Sequence, residues 1–278
     1  MAHKTLIGGT AYEIVGGKTL IGGTAYEIKG GNTLVGGTGY EIPFSKGILA
    51  SDLAVGSSVY LMENGSPVEY LVIHNGLPSS LYDSSCDGIW LLRKNIYTTY
   101  RYRISSSNAD GSNVSSYHYS DIHTYLNNTF WNVLDANTKN VVKEVKIPYG
   151  KFSSASWEPG VVVSGSGGLT TKAFLLSAYE LGWTQSQIGS EILVDGKCLS
   201  YFSGLAFTDS KRIANHNGSA TRWWTRSPYN YSGQGMLEVV STKGAPETQS
   251  YNSTYGVRPS LILPDNALFD PDTMQLVG

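Results

Sequence analysis

The chain has 278 residues, a formal net charge of −2 and only 15% charged residues, against ~25% in an ordinary soluble domain. That balance excludes a general electrostatic attraction to nucleic acid or to an anionic membrane, and no apolar run approaches the ~18 residues that cross a bilayer. Two cysteines, Cys86 and Cys198, are too few for a secreted disulfide scaffold and read as reduced, mostly buried thiols.

The place of the missing charge is taken by 32 glycines, 19 tyrosines and many Ser and Asn, which favours strands, turns and loops over helices. The opening MAHKTLIGG lacks the apolar core of a secretion signal. From Lys4 the chain repeats with a period of 14: KTLIGGTAYEIVGG, KTLIGGTAYEIKGG, then NTLVGGTGYEI from Asn32. Each copy reads strand, turn, strand, turn. Small hairpins of this kind need a partner surface, so residues 1–44 are predicted to form an oligomerising or docking module. Pro43-Phe44-Ser45-Lys46-Gly47 marks the boundary of a second domain, residues 45–278.

In that domain strands are predicted at Ser58 to Met62, Tyr70 to His74 and Ile89 to Leu92, before a polar loop from Ser105 to Ser116. Ser120 and Asp121 supply an N-cap and a first-turn acid. Ile122, Leu126, Phe130 and Val133 then fall at helical spacing through about Leu134. A second helix is predicted from Ala136 to Val145, stopped by Pro148, followed by a strand at Ala173 to Leu176 and a short helix at Ser177 to Leu181. The fold class expected is α+β, with short strands, two central helices and long late loops.

Two arginine-bearing motifs dominate the last quarter, WWTRSP from Trp223 and YGVRPSLILP from Tyr255. Of the 27 residues from Tyr229 to Tyr255, 16 are Tyr, Ser, Gly, Asn or Thr. That is the composition of a paratope, where rigid tyrosines give contact area and small polar residues give adaptable hydrogen bonds. Trp223, Trp224, Arg226 and Arg258 sit among apolar residues and are predicted to be an interior frame, the arginines tying loops together through carboxylates or carbonyls. The Met236 to Ser241 run is predicted to be a strand between two loops. One loop carries Tyr229, Asn230, Tyr231, Ser232 and Gln234; Glu247, Gln249, Tyr251, Asn252 and Tyr255 lie on or beyond the other. With Glu238 and Lys243, these are the candidate ligand-contacting residues, Lys243 and Glu247 as rim charges.

No zinc, nucleophile-elbow or phosphate-loop motif is present. Gly160 to Lys172 has glycines and a lysine, but Ala173 to Leu176 reads as a strand where a phosphate loop needs a helix N-terminus. His118, Asp121 and His123 form a compact cluster, yet on a helix Asp121 and His123 point to different faces. No catalytic residue, metal or cofactor is expected.

The stretch from Gly56 to Pro264 resembles an uncharacterised domain family of Firmicutes phage and prophage proteins whose hallmark is WWLRSP followed by GVRPAL. WWTRSP and GVRPSL match that hallmark, joined by CDGIWLLRKNIY from Cys86, VKIPY from Val145, CLSYFSG from Cys198 and TDSKRIA from Thr208. The repeats also resemble segments attached to such proteins. The resemblance implies a C-type-lectin-like fold in the version shared with formylglycine-generating enzymes. It also implies a possible target of diversity-generating retroelements, although the Asn-rich composition usual between the two motifs is absent here. The enzymes' catalytic cysteine pair has no counterpart.

What the resemblance implies for function is a virion protein, assembled in the bacterial cytoplasm, that binds a host cell-surface protein or glycan. The repeats would join it to other virion proteins as a homo-oligomer, a trimer by analogy with phage fibres. The alternative is a purely structural decoration, fibre or baseplate component using the same loops. Neither nucleic acid nor membrane insertion is expected.

Overall fold

Alternating apolar and polar residues broken by Gly-Gly pairs give each repeat one antiparallel hairpin. Lys4–Ile7 pairs with Thr10–Glu13, Lys18–Ile21 with Thr24–Glu27, and Gly31–Val35 with Thr38–Ile42. The computed structural model of the chain describes the backbone of these six strands and residues 47–104, 115–152, 160–231 and 234–277. Two compact units result, Met1–Lys46 and Gly47–Gly278.

The second unit is mixed α+β, built mainly of strands. Its first sheet comprises β1 (Ser58–Glu63), β2 (Ser66–Asn75), β3 (Ile89–Arg93) and, from the far end of the chain, Ser260–Leu263, in the order 260–263, β3, β2, β1, all antiparallel. Ile89, Trp90, Leu91 and Leu92 are all buried, as expected of a central strand covered on both faces. A second sheet uses β4 (Thr98–Arg101), β5 (Trp223–Tyr231), β6 (Gln234–Val240), β7 (Pro246–Ser250) and β8 (Thr254–Val257), in the order β4-β8-β5-β6-β7. Ser260–Leu263 is then β9. Only the β5–β8 contact is parallel. Ile48–Leu49 pairs antiparallel with Leu268–Phe269, so the two ends of this unit lie near each other.

The helix predicted from Ser120 begins there. Ser120 Oγ accepts the His123 amide at 3.2 Å, and α1 (Asp121–Tyr125) follows. The chain then widens into a π-helical stretch, Leu126–Phe130, before a last turn at Trp131–Val133. Asn127 accounts for the widening. Its Nδ2 donates to the His123 carbonyl at 3.0 Å and to the Ala173 carbonyl at 2.9 Å, while its Oδ1 accepts the Lys172 amide at 3.0 Å. A side chain bound into the helical ladder distorts it locally.

Three expectations are corrected. The second helix, α2 (Ala136–Val141), is shorter than predicted, because Lys143 donates its amide to Ile262 of β9 at 2.9 Å and Val145–Ile147 becomes a strand paired with Leu169–Thr171. Ala173 to Leu176 is buried and extended, but it joins β9 only by a bridge at Phe174 and Ser260. Ser177 to Leu181 is a turn, held by Ser177 N to Glu180 Oε2 at 2.8 Å and Glu180 N to Ser177 Oγ at 3.1 Å. Such local side-chain bonds compete with helix formation.

The predicted polar loop at Ser105 to Ser116 lies largely outside the described residues. Gly160 to Lys172 folds as strand, 3₁₀ turn and strand. Cys86 and Cys198 are free thiols, the first buried and the second half-buried, and burial pushes the Cys86 thiol up to about 12. No helix among the described residues is long and apolar enough to cross a membrane.

Candidate recognition surface

The WWTRSP motif builds the second sheet around a bulge. From Trp224 to Pro228 β5 advances four residues while its partner β6 moves only from Val239 to Leu237. The surplus residues are unpaired in the ladder and turn inward. Thr225 Oγ1 donates to the Glu238 carbonyl at 2.6 Å, and Ser227 Oγ donates to Asp195 Oδ1 at 2.8 Å. Between them Arg226 is fully buried. Its guanidinium grips both Glu180 oxygens at 2.5 Å and donates to the carbonyls of Pro148 at 3.0 Å, Leu175 at 2.9 Å and Asp195 at 3.1 Å. Tyr82 adds its hydroxyl to Glu180 at 2.7 Å. Burial alone would lower the Arg226 pKa, but Glu180 more than offsets it and the net shift is upward. Burial pushes Asp195 up to about 6, against the pull of Arg226.

Arg258 makes a different arrangement. It is 1% exposed, lies 5.0 Å over the Trp223 ring and donates Nε to the Arg93 carbonyl at 2.9 Å. No carboxylate faces it among the described residues, and burial pulls its pKa down to about 9. Trp223 donates its indole N–H to the Arg212 carbonyl and Trp224 to the Tyr100 carbonyl, each at 2.9 Å. All four frame residues are therefore interior.

The intervening segment differs from the prediction. Of the residues expected in two loops, Tyr229, Asn230, Tyr231 and Gln234 continue β5 and β6, Glu247, Gln249 and Tyr255 lie in β7 and β8, and Tyr251 and Asn252 form the turn between those two strands, so a strand meander replaces strand-between-loops. Strand pairing keeps extending because β7 finds a full register on β6, from Met236↔Ser250 to Val240↔Pro246. The far turn is fixed by Gly244, whose φ is 75° and where a Cβ would collide with the Asp209 carbonyl oxygen, so that only glycine fits.

Register decides which candidate residues meet, since directly paired residues share a face. Glu247 stands beside Val239 and Trp224, and Gln249 beside Leu237 and Pro228. On this face Tyr255 packs against Trp224 at 5.0 Å and donates its hydroxyl to Gln249 Oε1 at 2.7 Å, while Arg222 bonds Glu247 at 2.6 Å. The adjoining turn holds half-buried Tyr251 and exposed Asn252, the latter accepting from Ser250 Oγ at 2.9 Å. Glu247, Gln249, Tyr251, Asn252 and Tyr255 thus come together.

The others do not. Tyr229 falls on the opposite face, bridged to Ile192. Lys243 is exposed at the other end of β6. Asn230, Tyr231 and Gln234 are strand positions whose side chains, like all of Ser232, lie outside the described residues. Glu238 is a correction. Its position in the middle of a central strand buries it to 2% exposure, where it accepts Thr248 Oγ1 at 3.3 Å.

Burial pushes the Glu238 carboxyl up to about 8, against the lowering by Thr248. The folded protein therefore keeps a proton that the unfolded chain releases near pH 4.5, and stability falls as pH rises from there to about 8. Glu238→Gln is expected to remove most of that slope, worth on the order of 3 kcal/mol at pH 8.5. Urea unfolding of both proteins from pH 4.5 to 8.5 checks it; parallel curves refute it.

Glu180, Asp195, Arg212 and Arg222 escaped the sequence reading. A signal for Glu180 existed, a lone carboxylate inside the apolar run Ala173 to Trp183. Asp121 accepts the Ile104 amide at 2.6 Å, and burial lowers the His123 imidazole to about 4. Among the described residues no three His, Cys, Asp or Glu side chains gather as metal ligands.

The sequence model of a domain of unknown function (DUF6273) matches residues 87–265, more than half of the chain. No curated protein and no solved structure matches.

Proposed function

The chain belongs to the DUF6273 family, and within it we propose a recognition role: a receptor-binding or adhesin-type protein of a phage virion, whose second unit is C-type-lectin-like. The observation that carries this reading is one face of the second sheet. Glu247, Gln249, Tyr251, Asn252 and Tyr255 gather there on a backing of buried Trp224 and Leu237. Rigid tyrosines with polar neighbours on a fixed frame lose little entropy on binding a partner. The phage assignment and the lectin-like fold rest on the resemblance at WWTRSP and GVRPSL.

Tyrosines central to an interface each contribute ~2 kcal/mol or more. Tyr251→Ser combined with Tyr255→Ser is therefore expected to weaken binding to purified host envelope by ~100-fold or more, with assembly unchanged. Normal host binding by a variant that fails to enter virions would favour a structural virion component instead.

The repeats are assigned to assembly, because three hairpins with Leu, Ile and Tyr at fixed positions are too small to bury those residues alone. Removing residues 1–46 is expected to leave residues 47–278 folded and to lower the oligomer, measured by analytical ultracentrifugation. An unchanged sedimentation coefficient per subunit and an unchanged oligomer would defeat that assignment.

A further inference from the structure

A cleft of about 390 Å³ opens between the link from β3 to β4 and a small hairpin, Asn215–His216 paired with Ser219–Ala220. Its volume lies in the ordinary range of small-molecule sites, about 300–1,000 Å³. The walls are built. Ile96 donates its amide to the Asn215 carbonyl at 2.9 Å, and Tyr97 donates its amide to Val257 of β8 at 2.8 Å. The hairpin turns through Asn217 and Gly218, with φ of 51° and 80°, the two positive values that a tight two-residue turn requires.

The lining chemistry is specific. Asn95, Asn215 and Asn217 bring carboxamides to the cleft and His216 an imidazole. Among the described residues these four side chains make no hydrogen bond. Tyr97 offers a half-buried ring. The one permanent cation, Arg93, is already bound to Glu63 at 2.9 Å, donates to the Asn95 carbonyl at 2.8 Å and lies 5.6 Å from the Tyr97 ring centre.

Each ligand class makes a demand on such a site. An anion needs an uncommitted cation, and Arg93 is spent on Glu63. A divalent cation needs carboxylates, and none lines the cleft. An apolar ligand would strand three carboxamides without partners. A carboxamide offers a donor and an acceptor side by side, which suits adjacent hydroxyl groups that each donate and accept. An aromatic ring beside them suits the C–H face of a sugar. We propose that this cleft binds a neutral saccharide unit. None of Glu247, Gln249, Tyr251, Asn252 and Tyr255 lines the cleft, and the proposal does not depend on the role assigned to them.

The test uses the full chain and four probes, methyl α-glucoside, methyl α-mannoside, methyl β-galactoside and N-acetylglucosamine, with inorganic phosphate as the anion control. Saturation-transfer NMR is expected to detect at least one sugar and no phosphate competition. Asn95→Ala and Asn217→Asp, both at exposed positions, should each weaken that sugar at least fivefold with the melting temperature unchanged. Tyr251→Ala, on the recognition face, should leave it unchanged. Silence from all four sugars overturns the proposal, as does sugar binding indifferent to both Asn substitutions, or displacement of the sugar by phosphate. If either Asn variant melts early, Asn95→Gln, which keeps the amide and moves it by one methylene, is read in its place and must also weaken binding.

Discussion

Replacing Arg226 with Met is expected to destabilise the second unit by ~3–5 kcal/mol, a fall in Tm of roughly 6–20 °C. Glu180 is fully buried, and the guanidinium is its only cationic partner among the described residues. Without it, Glu180 and Asp195 share an interior with no compensating charge. Each must take up a proton or remain ionised at a large desolvation cost. Burial already holds the Asp195 carboxyl up to about 6 against the pull of Arg226, so losing Arg226 makes the deficit grow as pH rises from about 3.8 through that value. The double variant Arg226→Met with Glu180→Leu removes the charges together. It is expected to be less unstable than the two single losses summed, by 1 kcal/mol or more. Chemical unfolding of the four proteins at pH 5 and pH 8 measures this. Additive losses mean that the pair is not coupled and that the bulge is held by something else.

Trp223→Ala is expected to cost ~3–5 kcal/mol by cavity formation alone, and the surroundings add to it. The indole N–H satisfies the Arg212 carbonyl, and the ring face supports the Arg258 guanidinium, which has no carboxylate partner among the described residues. Trp223→Phe keeps a ring beneath Arg258 and loses the N–H bond and part of the ring volume, so it should fall by ~2–3 kcal/mol, less than Ala. Trp223→Leu keeps most of the apolar volume but no ring, and should fall further than Phe. Equal losses for Phe and Leu in thermal unfolding would show that the ring contributes packing without attraction to the cation.

These two residues also show what the chain reveals by inspection. A charged side chain set in an apolar motif has to be paired inside, so the interior position of Arg226 was legible from WWTRSP. Its partner was not, because Glu180 lies 46 residues earlier and a single sequence carries no pairing information at that range. The strands at Ser58, Tyr70 and Ile89 and the cap at Ser120 were legible for local reasons, alternation at Ser58, short continuous apolar runs at Tyr70 and Ile89, and side-chain chemistry at the cap. The segment from Tyr229 to Ser250 was misread because Tyr, Ser, Thr and Gly serve strands and loops alike. What made it sheet was the register offered by Leu237 and Val239, a tertiary effect. Glu238 was misread for the same reason. Polar residues in a strand normally face water, and nothing local says that this strand is covered on both sides. The saccharide cleft was hidden because it joins residues near 95 to residues near 216.

The pairing of Ile48–Leu49 with Leu268–Phe269 has a topological consequence. Leu268–Phe269 stands between Ile48–Leu49 and Leu276, so the first and last described residues of the unit lie about two strand spacings apart, roughly 10 Å, and residues 47–277 nearly close into a ring. A unit of this kind can be carried as an insert within a surface turn of another protein without forcing that turn open. Tension applied across its two ends reaches these short outer pairings before the interior, so they part while Trp223 and Arg226 stay packed.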